Sequence, residues 1–145
     1  AGRARYERMA SALEEKCPDY AACGMDVRPY IFDIPQVMAA ADLIICRSGA
    51  STLAELTAMG KPAILIPSPN VTGNHQEKNA RVLEKCGAAR VMLEGEFTPE
   101  SLYEDVRTLL FDDARLKSMS GAMAEAGLSD AAGRIAQIVL DGIKR

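Results

Sequence analysis

The run Arg47-Ser48-Gly49-Ala50-Ser51-Thr52-Leu53-Ala54-Glu55 concentrates residue types that bind a phosphorylated ligand. It follows the apolar stretch Ala41-Asp42-Leu43-Ile44-Ile45-Cys46 and precedes Leu56-Thr57-Ala58-Met59-Gly60, which completes a helix and stops it. A strand thus delivers a small-residue turn to a helix start, where unpaired N–H groups and the positive dipole end attract an anion. Gly49 lets the backbone approach a ligand closely, and Ser48, Ser51 and Thr52 add hydroxyl donors. Glu55, about one turn into the helix, is a carboxylate suited to accepting two hydroxyls of a ribose. Diphosphate plus ribose means a nucleotide, and the arrangement suits a nucleotide-sugar. Thr52-x-x-Glu55 also fits a capping box, in which the Glu returns to the cap's own N–H.

A second constellation runs from Pro62 to Ala80. Ala63-Ile64-Leu65-Ile66, set between Pro62 and Pro67, reads as a buried parallel strand. It opens into the polar loop Pro67-Ser68-Pro69-Asn70-Val71-Thr72-Gly73-Asn74, punctuated by prolines and Gly73. His75, Gln76 and Asn79 then open the next helix, with His75 and Asn79 on one face. An imidazole and neutral amides both donate and accept, as sugar hydroxyls require. The plainer reading is a polar helix start with Asn74 as its cap. Both constellations fall where consecutive βα units place loops at the carboxyl edge of one sheet, and open α/β sheets bind ligands there.

The elements that must position these loops alternate along the chain. Helices are expected over Ala4–Lys16, with Tyr6, Met9, Ala10 and Leu13 on one face, and over Ile34–Ala41, opened by Pro35. Strands are expected at Asp26–Ile31, fading at Pro29, and at Leu43–Cys46, Ala63–Ile66 and Ala89–Leu93. Between them lie the helix ending at Met59 and a helix over Gln76–Lys85 capped by Cys86-Gly87. Thr98-Pro99 starts another helix, with Leu102, Val106, Leu109 and Leu110 as its stripe. Asp113–Ala126 forms the next, and Ser129 or Asp130 caps a last one through Ile143. Such alternation means an α/β fold, a Rossmann-like parallel sheet wrapped by helices. The strand, Gly-rich turn and helix that normally open a doubly wound nucleotide domain are missing ahead of Ala1-Gly2-Arg3. One partial domain over residues 1–145, truncated at its N-terminus, is therefore expected.

Composition removes several function classes. The 145 residues are 48% hydrophobic and 26% charged, ordinary for a globular domain with its own core. Seventeen basic against 20 acidic residues leave a net charge of −3, which argues against nucleic-acid binding. Three Phe, 4 Tyr and no Trp offer little for base stacking. Cys17, Cys23, Cys46 and Cys86 include no C-x2-C pair, and with a single histidine no metal site is expected. Cys46 reads as a small buried hydrophobe. The longest apolar candidate, Val37 to Cys46, is interrupted by Asp42 and is too short to span a bilayer.

The two motifs, together with Tyr30-Ile31 and the segment Asn74-His75-Gln76-Glu77-Lys78-Asn79-Ala80, resemble the C-terminal domain of the MurG family. Its members are the bacterial UDP-N-acetylglucosamine–N-acetylmuramyl-(pentapeptide) pyrophosphoryl-undecaprenol N-acetylglucosaminyltransferases. The resemblance covers nearly the whole chain and is strongest from Gly24 onward. It implies the C-terminal half of a GT-B glycosyltransferase, two Rossmann-like domains facing across a cleft with the donor held by the second. The implied reaction is inverting transfer of N-acetylglucosamine from UDP-N-acetylglucosamine to lipid I, giving lipid II of peptidoglycan, without a cofactor.

By position, Glu55 resembles the ribose-diol carboxylate, and Ser48, Gly49, Ala50, Ser51 and Thr52 resemble the diphosphate turn. Tyr30 and Ile31 resemble the uracil-binding segment, acting through backbone groups. His75, Gln76 and Asn79 match the segment that reads the sugar, His75 standing where the family often has a second amide. In the family, acceptor binding, membrane association and the proposed base belong to the N-terminal domain. Contact with lipid I and with the cytoplasmic face of the plasma membrane is thus expected through that domain only, and no catalytic residue within these 145. Competing readings are a glycolipid glycosyltransferase, a UDP-N-acetylglucosamine 2-epimerase and a non-catalytic nucleotide-binding module. An epimerase needs acid-base carboxylates around the sugar, and only Glu77 accompanies His75-Gln76. A regulatory module has no use for a hydroxyl reader such as Gln76 with Asn79.

Overall fold

The computed structural model describes residues 3–127 and 131–143, and the chain divides into two compact units, residues 1–36 and 37–145. In the first unit, α1 (Arg3–Lys16) matches the expected amphipathic helix. The expected strand Asp26–Ile31 does not form. That segment is irregular, because Pro29 removes a ladder donor and the Asp26 carboxylate and Arg28 guanidinium bond each other at 2.8 Å. α2 (Ile34–Ala40) runs through the point of division.

The second unit holds a parallel sheet of three strands, not four, in the order β1 (Ile44–Cys46), β2 (Ala63–Leu65), β3 (Ala89–Val91). Its register pairs Ile44 with Ala63 and Ala63 with Ala89, so the strands start and end level. β2 is buried along its whole length. Ala63 and Leu65 face one way, packing with Leu56 of α3 (Ala50–Met59) and Ala80 and Leu83 of α4 (His75–Lys85). Ile64 faces the other way, against Leu109 of α5 (Pro99–Leu110) and Met119 of α6 (Asp113–Glu125). The alternation along β2 follows from the period of two in an extended chain, and a strand covered on both faces has no position for a polar residue. The last helix, α7, spans Ala131–Ile143, and the expected caps Ser129 and Asp130 lie outside the described residues.

Local signals set the helix ends as expected. Gly60 (φ 61°) and Gly87 (φ 74°) are left-handed residues that close α3 and α4. The paired bonds Lys61 N–H to Leu56 O (3.0 Å) and Ala88 N–H to Leu83 O (2.9 Å) are the wide loops of such endings. Thr98 caps α5 ahead of Pro99, and Ser101 returns the bond to the Thr98 amide at 3.0 Å. The Asp112 carboxylate accepts from the Arg115 amide to open α6.

The two left-handed glycines differ in surroundings. A Cβ on Gly60 would stand 3.3 Å from both Ala124 Cβ and Ser120 O, whereas Gly87 faces open space. Either glycine replaced by alanine should lose about 1–2 kcal/mol from the left-handed backbone. Gly60→Ala should lose about 1–3 kcal/mol more from overpacking against α6. Urea denaturation of the two variants checks this, and equal losses would mean that α6 yields freely.

Candidate functional site

Level strand ends bring the β1–α3 turn and the β2–α4 loop side by side at the carboxyl edge of the sheet. Gly49 occupies the N-cap position of α3 and offers no side-chain hydrogen bond to the helix. The first intrahelical bond is Leu53 N–H to Gly49 O, at 3.0 Å. The amides of Ala50, Ser51 and Thr52 therefore point out of the helix with no acceptor among the described residues. The capping-box reading of Thr52 and Glu55 fails, because Thr52 is the third residue of the helix and Glu55 lies beyond the reach of its cap. Glu55 is exposed, and its carboxylate makes no hydrogen bond or ion pair among the described residues.

Ser48 behaves differently from the donor expected of it. It is fully buried, and its hydroxyl donates to Gln76 O at 2.8 Å. A hydroxyl closed to solvent and already spent ties two loops together. The donors open to an anion at this turn are then the amides of Ala50, Ser51 and Thr52, with the hydroxyls of Ser51 and Thr52.

Across from the turn, Thr72–Asn74 form a short 3-10 turn, and α4 begins at His75, one residue before the expected start. Asn74 does hold the N-cap position, but it is left-handed (φ 51°) and accepts no helix amide. Its side-chain amide donates instead to Glu77 Oε2 at 2.6 Å. His75 Nδ1 lies 2.9 Å from Thr72 O. Gln76 Oε1 accepts the Ser68 amide at 2.9 Å, which folds the start of the loop onto α4 and leaves its NH2 group to donate. Asn79 and Ala50 share the wall of a groove of about 770 Å³ between α3 and α4, with Leu53, Val82 and Ala124. Ser48, Ala50, Gln76 and Asn79 thus converge. Tyr30 and Ile31 belong to the first unit, where the Tyr30 ring is exposed and meets Phe32 edge-on at 4.6 Å.

The match to known families decides what kind of domain this is. Residues 5–135 match the family described as glycosyltransferase family 28 C-terminal domain. The chain belongs to that family. An Acetivibrio thermocellus protein named UDP-N-acetylglucosamine–N-acetylmuramyl-(pentapeptide) pyrophosphoryl-undecaprenol N-acetylglucosamine transferase is 46% identical over 99% of the chain. A Bacillus cereus protein of the same name, numbered 1, is 40% identical over the same share. The family 28 chain spans 38% and 39% of the lengths of these two relatives. Among solved structures, Acinetobacter baumannii MurG superposes with a TM-score of 0.73 at 30% identity, over 80% of this chain and 35% of that one. The family 28 fold is therefore a Rossmann-like C-terminal domain of the GT-B kind, as the resemblance implied.

The sequence assigned no role to three participants. Arg47 Nη1 reaches Ile66 O and Pro67 O, both at 3.2 Å, and Glu94 Oε2 at 2.6 Å. Arg47 and Ser68 stand inside the two stretches without a role of their own, and Glu94 lies outside both. Only the position of Arg47, first after β1, hinted at a role. No three His, Cys, Asp or Glu side chains lie close enough to hold a metal ion among the described residues.

Cys46 ends β1 beneath this edge, packed against the core but only partly buried, short of the burial expected of it. Burial pushes its thiol up to about 11, so it stays protonated at neutral pH and is a poor nucleophile. Alkylation by iodoacetamide at pH 8 should modify the exposed Cys23 and Cys86 first and Cys46 last, with Cys46 labelling rising as pH approaches 11. Mass spectrometry of the labelled peptides reads the order, and early labelling of Cys46 would mean an open β1 edge.

Proposed function

We propose that this chain is the UDP-N-acetylglucosamine-binding half of an inverting N-acetylglucosaminyltransferase that converts lipid I to lipid II in peptidoglycan synthesis. The observation that carries the reading is the open start of α3 inside a family 28 C-terminal domain. Three unpaired amides at a helix N-terminus stabilise a diphosphate through direct bonds and through the helix dipole. Gly49, Ala50, Ser51 and Thr52 form that seat, with Ser48 holding its shape from below. Glu55, exposed and without a partner among the described residues, takes the ribose hydroxyls.

Asn79 and the NH2 group of Gln76 take hydroxyls of the sugar, with His75 beside them. The names of the relatives support the sugar and the acceptor, since each is called an N-acetylglucosamine transferase acting on a pyrophosphoryl-undecaprenol substrate. Inversion requires a base beside the acceptor hydroxyl, and in this reading it comes from a partner half that binds lipid I at the cytoplasmic face of the membrane. No helix among the described residues is long and apolar enough to cross a membrane. In this reading membrane contact belongs to the other half, nucleic acid is not a partner, and no cofactor takes part.

Two measurements test the reading. Calorimetry should find UDP binding weakened tenfold to a hundredfold by Glu55→Ala, since a charge-assisted bond is worth about 1.5–3 kcal/mol. The melting temperature should hold, because Glu55 has no partner to lose among the described residues. Unchanged UDP affinity would remove Glu55 from the ribose site. UDP binding should also survive EDTA, because helix amides carry the phosphate charge without a metal bridge. Binding restored only by added magnesium would overturn that account.

A further inference from the structure

The β2–α4 loop, Pro67 to Asn74, is tied to its own helix by most of its hydrogen bonds. Ser68 bonds Gln76, Thr72 meets His75, and Asn74 bonds Val71 and Glu77. These contacts make the loop and the start of α4 one piece, but they do not set its height against the diphosphate turn. Among the described residues, two side chains do so: Ser48, through Gln76 O, and Arg47, through Pro67 O.

Arg47 has the wider grip. The register Cys46 to Leu65 to Val91 places it just past the strand ends, level with Ile66. From there its guanidinium bonds the exit of β2 at two carbonyls and the segment after β3 at Glu94. All three strand exits are joined by one cation. All three bonds leave one nitrogen, Nη1: the bond to Glu94 is short and charge-assisted, and the two carbonyls share the remaining donor at 3.2 Å. The side chain is half exposed, so its removal opens no cavity in the core.

We infer that Arg47 is a positioning residue for the donor sugar: it holds the loop bearing Gln76 and Asn79 at the height of the diphosphate turn without touching the nucleotide. This rests on the donor reading above and adds a residue to it. Loss of Arg47 frees the sugar-reading piece and leaves the α3 amides in place. Sugar-dependent affinity should then fall while nucleotide affinity stays. Lysine keeps the charge on a shorter side chain, with its ammonium short of the place Nη1 occupies, and should restore the hold only in part.

The test uses the whole chain, unsubstituted and as Arg47→Ala and Arg47→Lys, with two readouts. Amide hydrogen exchange over Ser68–Asn74 should quicken about tenfold in Arg47→Ala, while α3 exchanges as before. Calorimetry should find affinity for UDP-N-acetylglucosamine down about tenfold and affinity for UDP within about twofold, with Arg47→Lys between. Equal losses for UDP and the UDP-sugar, or unaltered exchange in the loop, would overturn the inference. Failure of the donor reading has a separate signature: the unsubstituted chain binds neither ligand. Loop exchange then still decides whether Arg47 positions the loop.

Discussion

β2 is buried on both faces, and the carboxyl edge of the sheet depends on that constraint. A strand with Ala63 and Leu65 in one cluster and Ile64 in the other cannot slip by one residue without exchanging the two faces. Its parallel register therefore holds β1 and β3 level with it, and the loops that follow the strands emerge at one height. Gly60 completes the frame, since its left-handed turn brings the chain from α3 into β2 while Ser120 of α6 bonds its carbonyl at 2.7 Å. The starts of α3 and α4 lie side by side because the strands that lead to them end level.

At that edge the polar groups divide into two kinds. Ser48, Gln76 Oε1, Arg47 and Glu94 are engaged with one another or with backbone, and they shape the loops. The α3 amides and the carboxylate of Glu55 have no partner among the described residues, although each would gain by having one. A helix start normally recruits a Ser, Thr, Asp or Asn cap, as α5 and α6 do here. α3 has Gly49 instead, which forgoes that stabilisation and leaves room for an anion. The contrast between the ends of α3 and α5 within one domain supports an external ligand at the first.

Much of this was legible in the residues. The apolar runs at Leu43–Cys46 and Ala63–Ile66 and the glycines at 60 and 87 marked strands and helix ends, because burial and left-handed backbone leave clear traces. Asp26–Ile31 was misread as a strand, since its alternation is local while strand formation needs a partner edge, and Pro29 and the Asp26–Arg28 pair favour an irregular path. Thr52-x-x-Glu55 fitted a capping box by spacing alone; only the structure reveals that the helix begins at Ala50, two residues earlier. The bond that turns Ser48 from an expected phosphate donor into a loop tie, and those of Arg47, escaped for a related reason. Their partners, Gln76 O and Pro67 O, lie 28 and 20 residues away and are backbone atoms, invisible to any pattern of side-chain types.

The central claim is that the amides opening α3 hold the diphosphate of a nucleotide-sugar. An NMR titration of the isotope-labelled chain with UDP-N-acetylglucosamine addresses it directly, because a charge-assisted bond shifts the donating amide. The account predicts saturable downfield shifts at Ala50, Ser51 and Thr52, and no comparable change at the start of α5, where the Thr98 cap already occupies the amide of Ser101. Saturable binding that leaves these three amides unmoved, or the absence of binding altogether, would contradict it.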